Sequence, residues 1–195
     1  MSATLKPKVL FIGFGHLAKS LLSKKLLNSV NIHALNSKGV IKNINLKKKI
    51  LNFNNDYNYI FFLIRPKTFL TSGNQFQKYL SKETLVISCM AGIKLSTIEK
   101  TLKSKKIVRI MPNVMALNNK SQTHIYMKNK NLFDSKLKKI LSTFGTIINV
   151  RNEDQINFAT SVFGSGPAFI AYIVNIFVKA SKKLAKPYHM NEKDV

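Results

Sequence analysis

The feature that most limits how this chain can fold is the stretch KVLFIGFGHLAKSLLSKKLL, Lys8 to Leu27, where a short apolar run ends in Gly-x-Gly and passes straight into a segment of helical periodicity. The same alternation recurs downstream, and strand-length apolar runs separated by helix-period segments are the pattern of a parallel sheet built from βαβ units. Strands are expected at KVLFIGFG, NIHALNS, YIFFLIRP, TLVISCMAG, KIVRIMPN, HIYMKN and GTIINVRN. Helices are expected at HLAKSLLSKKLL, with Leu17, Leu21, Leu22 and Leu26 on one side, and at TFLTSGNQFQKYL, KLSTIEKTL and LFDSKLKKILSTF. In KLSTIEKTL, Ser96 and Glu99 have capping-box spacing, which makes Ser96 the expected helix cap. The Lys- and Asn-rich stretch from Lys42 to Asn58 receives no assignment. At Glu153 the strand pattern stops, and on to about Lys186 the chain reads as helix with one interruption at GSGP.

In GFGHLA, Gly13 and Gly15 match the first two glycines of the G-x-G-x-x-G/A fingerprint, and Ala18 takes the third position. Each has a physical task. Gly13 allows the sharp turn, Gly15 leaves no side chain where pyrophosphate oxygens must approach the backbone, and Ala18 lets the helix lie close to the strand. Amides at a helix N-terminus then point at an anionic ligand. Gly13, Phe14, Gly15, His16, Leu17 and Ala18 are thus an expected cradle for a dinucleotide, with His16 facing solvent or the phosphates; the other reading is a tight turn between two packed elements. The fold class expected is α/β: a Rossmann-like, mostly parallel sheet flanked by helices, followed by the beginning of an all-α domain. Residues 1–152 are expected to form the nucleotide-binding domain and residues 153–195 the start of the helical one.

The second strand bears on which cofactor is favoured. A site specific for NAD usually ends this strand in a carboxylate, which holds the ribose hydroxyls and would repel a 2′-phosphate. HALNSKG has none, and Asn36, Ser37 and Lys38 are donors, which favours NADPH, with NADH possible; the same residues also make an ordinary polar turn.

The formal net charge is +24, enough to raise nucleic acid as a partner. Yet the lysines recur in LSKKLL, LKKKIL, LKSKKI, SKLKKI and ASKKLAK, spread over many elements and interleaved with Leu and Ile. That reads as solvated helix faces, with non-specific attraction to polyanions and no specific nucleic-acid site. The single cysteine, Cys89, cannot form an internal disulfide or a cysteine-based metal site, and no metal site is expected. In TLVISCMAG it reads as a small buried thiol, with a reactive nucleophile as the other reading. No run reaches the ~20 apolar residues of a membrane span, since the longest, Phe169 to Val178, is about half that. With no signal peptide read at MSATLKPKVLFIG, a cytoplasmic protein is expected.

FFLIRP, LVISCMAGIKLSTIE, RIMPNVMAL and FATSVFGSGPAFIAYIVNIF resemble, in order and spacing, the segments of pyrroline-5-carboxylate reductases, and the resemblance covers Lys8 to about Val195. MPN at 111–113 followed by GSGPA at 164–168 is more specific than the glycine fingerprint. The resemblance implies an N-terminal Rossmann domain, a C-terminal helical domain through which subunits pair as a dimer, and hydride transfer from NADPH or NADH to the imine carbon of 1-pyrroline-5-carboxylate in proline biosynthesis. It implies that Gly13 to Ala18 hold the pyrophosphate, and Asn36, Ser37 and Lys38 the adenosine ribose end. Ile64, Arg65 and Pro66 would line the cofactor cleft; Cys89, Met90, Ala91 and Gly92, with Met111, Pro112 and Asn113, would sit at the nicotinamide. Ser165 would lie near the substrate. Taken alone, IRP and MPN are equally strand ends stopped by proline, and GSGPA a helix start with Pro167 in the first turn.

The family usually has lysine where this chain has Arg65, and Thr-Pro where it has Val114 and Met115. Family members also continue past the point matching YHMNEKDV, with a Pro-Gly-Gly-Thr segment whose threonine hydrogen-bonds the substrate. The expectation is an incomplete chain or a shortened one that pairs helices between subunits, because AFIAYIVNIFVKASKKLA cannot bury its apolar circumference alone. Two functions follow: an NAD(P)H-dependent oxidoreductase acting on a C=N bond of a small-molecule substrate, or a non-catalytic NAD(P)-binding and dimerising module. No residue is assigned as catalytic; the proton donor to the imine is unknown from the sequence.

Overall fold

A computed structural model describes residues 6–51 and 56–190; 52–55, within the Lys- and Asn-rich stretch, and both chain ends lie outside the described residues. The strands are β1 (Lys8–Ile12), β2 (Asn31–Leu35), β3 (Ile41–Asn43), β4 (Lys48–Ile50), β5 (Tyr59–Phe62), β6 (Leu85–Ser88), β7 (Ile107–Met111), β8 (Ser121–Tyr126) and β9 (Gly145–Asn149). They form one sheet in the order β4-β3-β2-β1-β5-β6-β7-β8-β9. Strands β2, β1, β5, β6 and β7 run parallel, so their carboxyl ends share one edge. The helices are α1 (His16–Ser20), α2 (Lys24–Ser29), α3 (Pro66–Ser72), α4 (Leu95–Leu102), α5 (Ser135–Ser142), α6 (Asp154–Ala159) and α7 (Gly166–Ala185).

Side chains alternate across a strand, and here both sets are apolar because helices cover both faces. Val9, Phe11, Tyr59 and Phe61 pack on one face with Ala18 of α1, Leu26 of α2 and Leu141 of α5. Leu10, Ile12, Ile60 and Phe62 pack on the other with Phe69 of α3, Phe76 and Tyr79 of a 3₁₀ segment, and Ile98 of α4. Each large apolar side chain buried this way stabilises the fold by ~2 kcal/mol before ordering costs.

The expected mostly parallel sheet is present, with local differences. The single helix expected after β1 is two, because Ser23 interrupts it: its hydroxyl accepts from the Leu26 amide and caps α2. The four leucines still face one core. The unassigned stretch holds the antiparallel hairpin β3–β4, whose three-residue strands are too short to show a period. Strand β8 begins at Ser121 and runs antiparallel to β7, since the 3₁₀ turn Val114–Asn118 joining them is too short for a crossover. TFLTSGNQFQKYL is helical only to Ser72, and Gly73–Tyr79 is 3₁₀. Ser96 does not cap α4: Lys94 is the cap residue and makes no side-chain cap bond. The Leu95 amide donates instead to Glu153 Oε1 at 2.6 Å.

That carboxylate holds the sheet to the C-terminal helices. Arg109 on β7 is 1% exposed, and its Nη1 donates to Glu153 Oε1 at 2.7 Å, so Glu153, just before α6, pairs a buried charge. From there the chain is helical through Tyr188. GSGP does not break it: residues Thr160–Gly164 form a π turn, closed by Ser165 N–H donating to the Thr160 carbonyl. Beyond it α7 stands away from the sheet, with Phe169, Ile170, Tyr172 and Phe177 each more than 60% exposed. The helical span of 35 residues, with a mean hydropathy of 1.6 in its most apolar window, is long and apolar enough to cross a membrane. Counting uninterrupted apolar residues missed this, because single polar residues interrupt the run without interrupting the helix.

Behind β2, His33 Nδ1 lies 2.9 Å from the Tyr57 hydroxyl, and its Nε2 faces the Asn43 amide at 3.3 Å. Asn43 Oδ1 accepts from the Leu46 amide, so its Nδ2 must point at the ring and Nε2 must accept. Burial, then Lys8, hold the His33 pKa below its ordinary value; burial does the same at His124 on β8.

Two expectations follow. Glu153→Ala should destabilise the fold by about 3 kcal/mol or more in urea denaturation, because Arg109 keeps its buried charge without a partner. Glu153→Gln, which retains an acceptor for Leu95, should cost less. Both buried histidines must gain a proton on unfolding in acid, so the urea midpoint should hold near and above pH 7 and fall as pH drops below about 6.5, and His33→Gln with His124→Gln should flatten that slope.

Candidate functional site

The carboxyl ends of β2, β1 and β5 enclose a cavity of about 620 Å³, lined among others by Gly13, Phe14, Gly15, Asn36, Ser37, Ile64 and Arg65. These come from three separate strand ends, and the place where adjacent crossovers leave in opposite directions is where open α/β sheets bind ligands. Here α1 lies on one face and α3 on the other.

The two glycines differ in kind. Gly13 has φ +96°, and a Cβ there would sit 2.8 Å from the Leu63 carbonyl oxygen and 2.9 Å from Ile64 Cγ2, so it is required by the close approach of β5. Gly15 precedes α1 with φ −86°, and a Cβ there would meet nothing within 4 Å. Packing does not explain its missing side chain. The first turn of α1, His16 to Ala18, presents amides that a helix leaves without intrahelical acceptors. Ala18 is buried against the core, Leu17 packs at its edge, and His16 is exposed.

At the end of β2, Asn36 Oδ1 accepts from the Lys38 and Val40 amides at 2.9 and 3.0 Å, which folds residues 36–40 into a tight turn with Gly39 at φ +73°. Ser37 lines the cavity, whereas Lys38 is exposed and does not. Pro66 is the first residue of α3, where its missing N–H costs nothing, so it starts a helix four residues after the last residue of β5.

The remaining expected residues gather farther along the same edge. Cys89 and Met90 point into the two cores, and burial pushes the Cys89 thiol up, away from the reactive thiolate. Ala91 is half-buried, and Gly92 is exposed at φ +70°. Met111 packs with Ile156 and Ala159 of α6, and with the edges of Ala91 and Phe163. Pro112 is buried. Asn113 is engaged on every side: Nδ2 donates to the Phe163 carbonyl at 2.9 Å, Oδ1 accepts from the Met115 amide, and its own amide donates to Ser121 Oγ. Ser165 Oγ donates back to the Thr160 carbonyl at 3.3 Å and is half-buried.

The expected residues thus form two groups on one edge, a nucleotide-sized cavity over β2, β1 and β5 and a second cluster where β6 and β7 meet the π turn. Sequence reasoning missed Arg109 and Glu153, which join that cluster to the helices; an arginine inside the apolar run KIVRIM was the available signal. It also missed another part of the cavity wall, Gln75, Phe76, Lys78 and Tyr79 of the 3₁₀ segment, which line it together with the glycine turn. Nothing in NQFQKY marks a wall before the fold is known.

No family model matches the chain. Among curated proteins, pyrroline-5-carboxylate reductase of Staphylococcus aureus (strain COL) is 30% identical over 195 aligned positions, covering 91% of this chain and 70% of that protein. The Staphylococcus epidermidis enzyme of the same name is 28% identical over 96% of this chain and 74% of its own length. Solved structures agree in fold: 1-pyrroline-5-carboxylate reductase from Streptococcus pyogenes superposes with a TM-score of 0.71 at 20% identity over 96% of this chain and 73% of that one. The Plasmodium falciparum reductase, solved with NADP bound, gives 0.73 at 20% identity over 96% and 72%. With the glycine turn, the MPN strand end and the GSGP turn on one edge of such a sheet, the chain belongs to the pyrroline-5-carboxylate reductase family.

Proposed function

We propose that this protein binds NADPH, with NADH possible, and reduces 1-pyrroline-5-carboxylate, a small cyclic imine, to L-proline in the cytoplasm. The observation that carries the reading is Gly15, a residue with no side chain, open space where its Cβ would be and a helix start beside a cavity of about 620 Å³. A pyrophosphate fits those features; a packing turn does not need them.

In this reading Gly13 to Ala18 hold the pyrophosphate, with Gly13 fixing the turn against β5 and the first amides of α1 facing the phosphates. Asn36, Ser37 and Lys38 stand at the adenosine ribose end, with Asn36 shaping the turn through its own hydrogen bonds. Ile64, Arg65 and Pro66 form the wall beside the glycine turn. The nicotinamide end is lined by the backbone of Ala91 and Gly92 and by the MPN strand end, Cys89 and Met90 supporting it from the cores. Asn113 acts through position: by holding the Phe163 carbonyl it sets the turn that carries Ser165 towards the substrate. When bound, the cofactor supplies the hydride, which leaves the protein to align the two reacting carbons and exclude competing water.

Residues 1–152 serve in this scheme as the cofactor domain, and 153–195 as the start of a helical substrate and dimerisation domain. The exposed Phe and Ile side chains of α7 are covered by a second copy of the chain, because an unpartnered apolar face of this size marks an interaction surface. The staphylococcal relatives, by name, support the reaction.

Titration with NADPH and NADH, followed by cofactor fluorescence, should give saturable binding of at least NADPH; none would overturn the reading. Gly15→Val should leave the urea midpoint almost unchanged and weaken NADPH by at least about tenfold. Gly13→Ala should lower the midpoint, since both its φ and its neighbours exclude a Cβ. Incubation with pyrroline-5-carboxylate and NADPH should yield proline; cofactor binding without proline would favour the non-catalytic module.

A further inference from the structure

The cavity has two charged residues among its described lining, Arg65 and Lys78, and both are cations. Arg65 follows Leu63 and Ile64, the residues that press on Gly13, so it belongs beside the glycine turn. Lys78 lies between Phe76 and Tyr79 in sequence, and both of these pack in one core with Leu35 and Ile41. Leu35 ends β2 and Ile41 starts β3, and Leu35, Asn36, Ser37 and Gly39 of this strand end and turn line the same cavity as Lys78. The ribose 2′-substituent of a dinucleotide is recognised at that strand end. Asn36 Oδ1 is committed to the turn, and Lys38 lies outside the cavity lining.

We infer that Lys78 is the cation that recognises the 2′-phosphate of NADPH and thereby sets the preference over NADH. The inference rests on the proposed cofactor site. It transfers to a residue of the 3₁₀ segment the part that sequence reading gave to Lys38. Lys78 is exposed, with its ammonium 5.2 Å from the Tyr79 ring centroid, so it can move to a phosphate without losing a buried partner. A lysine recognises phosphate as a compact point charge, and the contact of an exposed one is sensitive to salt.

The test measures dissociation constants of NADPH and NADH separately, by cofactor fluorescence with the full chain, for the unaltered protein and for Lys78→Met, Lys78→Arg and Lys38→Met. Lys78→Met should weaken NADPH roughly tenfold and NADH less than about twofold. Lys78→Arg should recover most of the NADPH affinity, and Lys38→Met should leave the ratio nearly unchanged. Equal loss for both cofactors, or loss of the preference in Lys38→Met and not in Lys78→Met, would overturn the assignment. Saturable binding of neither cofactor by the unaltered chain would overturn the cofactor site itself, a result distinct from NADH and NADPH binding with equal affinity in every variant.

Discussion

A single buried charge organises the far half of this molecule. Arg109 sits within an apolar strand at 1% exposure, and a guanidinium in such surroundings must be paired or the strand cannot form its core. Its partner Glu153 comes from outside the sheet, at the point where the strand pattern gives way to helix, and the same carboxylate oxygen accepts the first amide of α4. One oxygen thus ties a strand, a helix start and the origin of the C-terminal helices. With eight acidic residues in the chain, carboxylates are scarce. The pairs Lys8–Asp56, Lys106–Glu83 and Lys128–Glu99 lie at the surface, where such contacts contribute little.

From that anchor the geometry of the cleft follows in short steps. Glu153 fixes α6, α6 brings Ile156 and Ala159 onto Met111, and the Phe163 carbonyl comes within reach of Asn113. The MPN strand end therefore contributes a hydrogen-bonded joint as much as a lining. The half of the edge that borders the cavity is organised differently, by close packing: Gly13 under Leu63, and Phe76 edge-on to Phe62 of β5.

The parts legible in the sequence were those whose cause is local. Continuous apolar runs gave the strands, and Gly-x-Gly between a strand and a helix gave the turn, because period and backbone freedom are properties of neighbouring residues. What escaped had causes distant in the chain or too short to show a period. Ser96 had the correct spacing for a cap and was displaced by a carboxylate more than fifty positions later. Ser23 looked like one polar residue in a helical run, yet it divides that run in two. The hairpin β3–β4 was hidden by its lysines. Of the cavity, the glycine turn and the strand ends were visible as motifs; the residues around Lys78 were not, since they line it only because the 3₁₀ segment packs back on β5 through Phe76 and Phe62.

The π turn at Thr160–Gly164 adds a point about direction. A π turn holds one residue more than the α-helical turn it replaces, and each helical residue advances the face by about 100°. The apolar side of α7 therefore takes its bearing from a count of residues in this turn. Shortening the turn by one residue would leave the cavity over β2, β1 and β5 and the sheet as they are, yet swing Phe169 and its neighbours to another bearing. The length of this turn is the gauge that sets the bearing of the exposed apolar face of α7 relative to the sheet, and the same turn supplies the carbonyl that Asn113 holds.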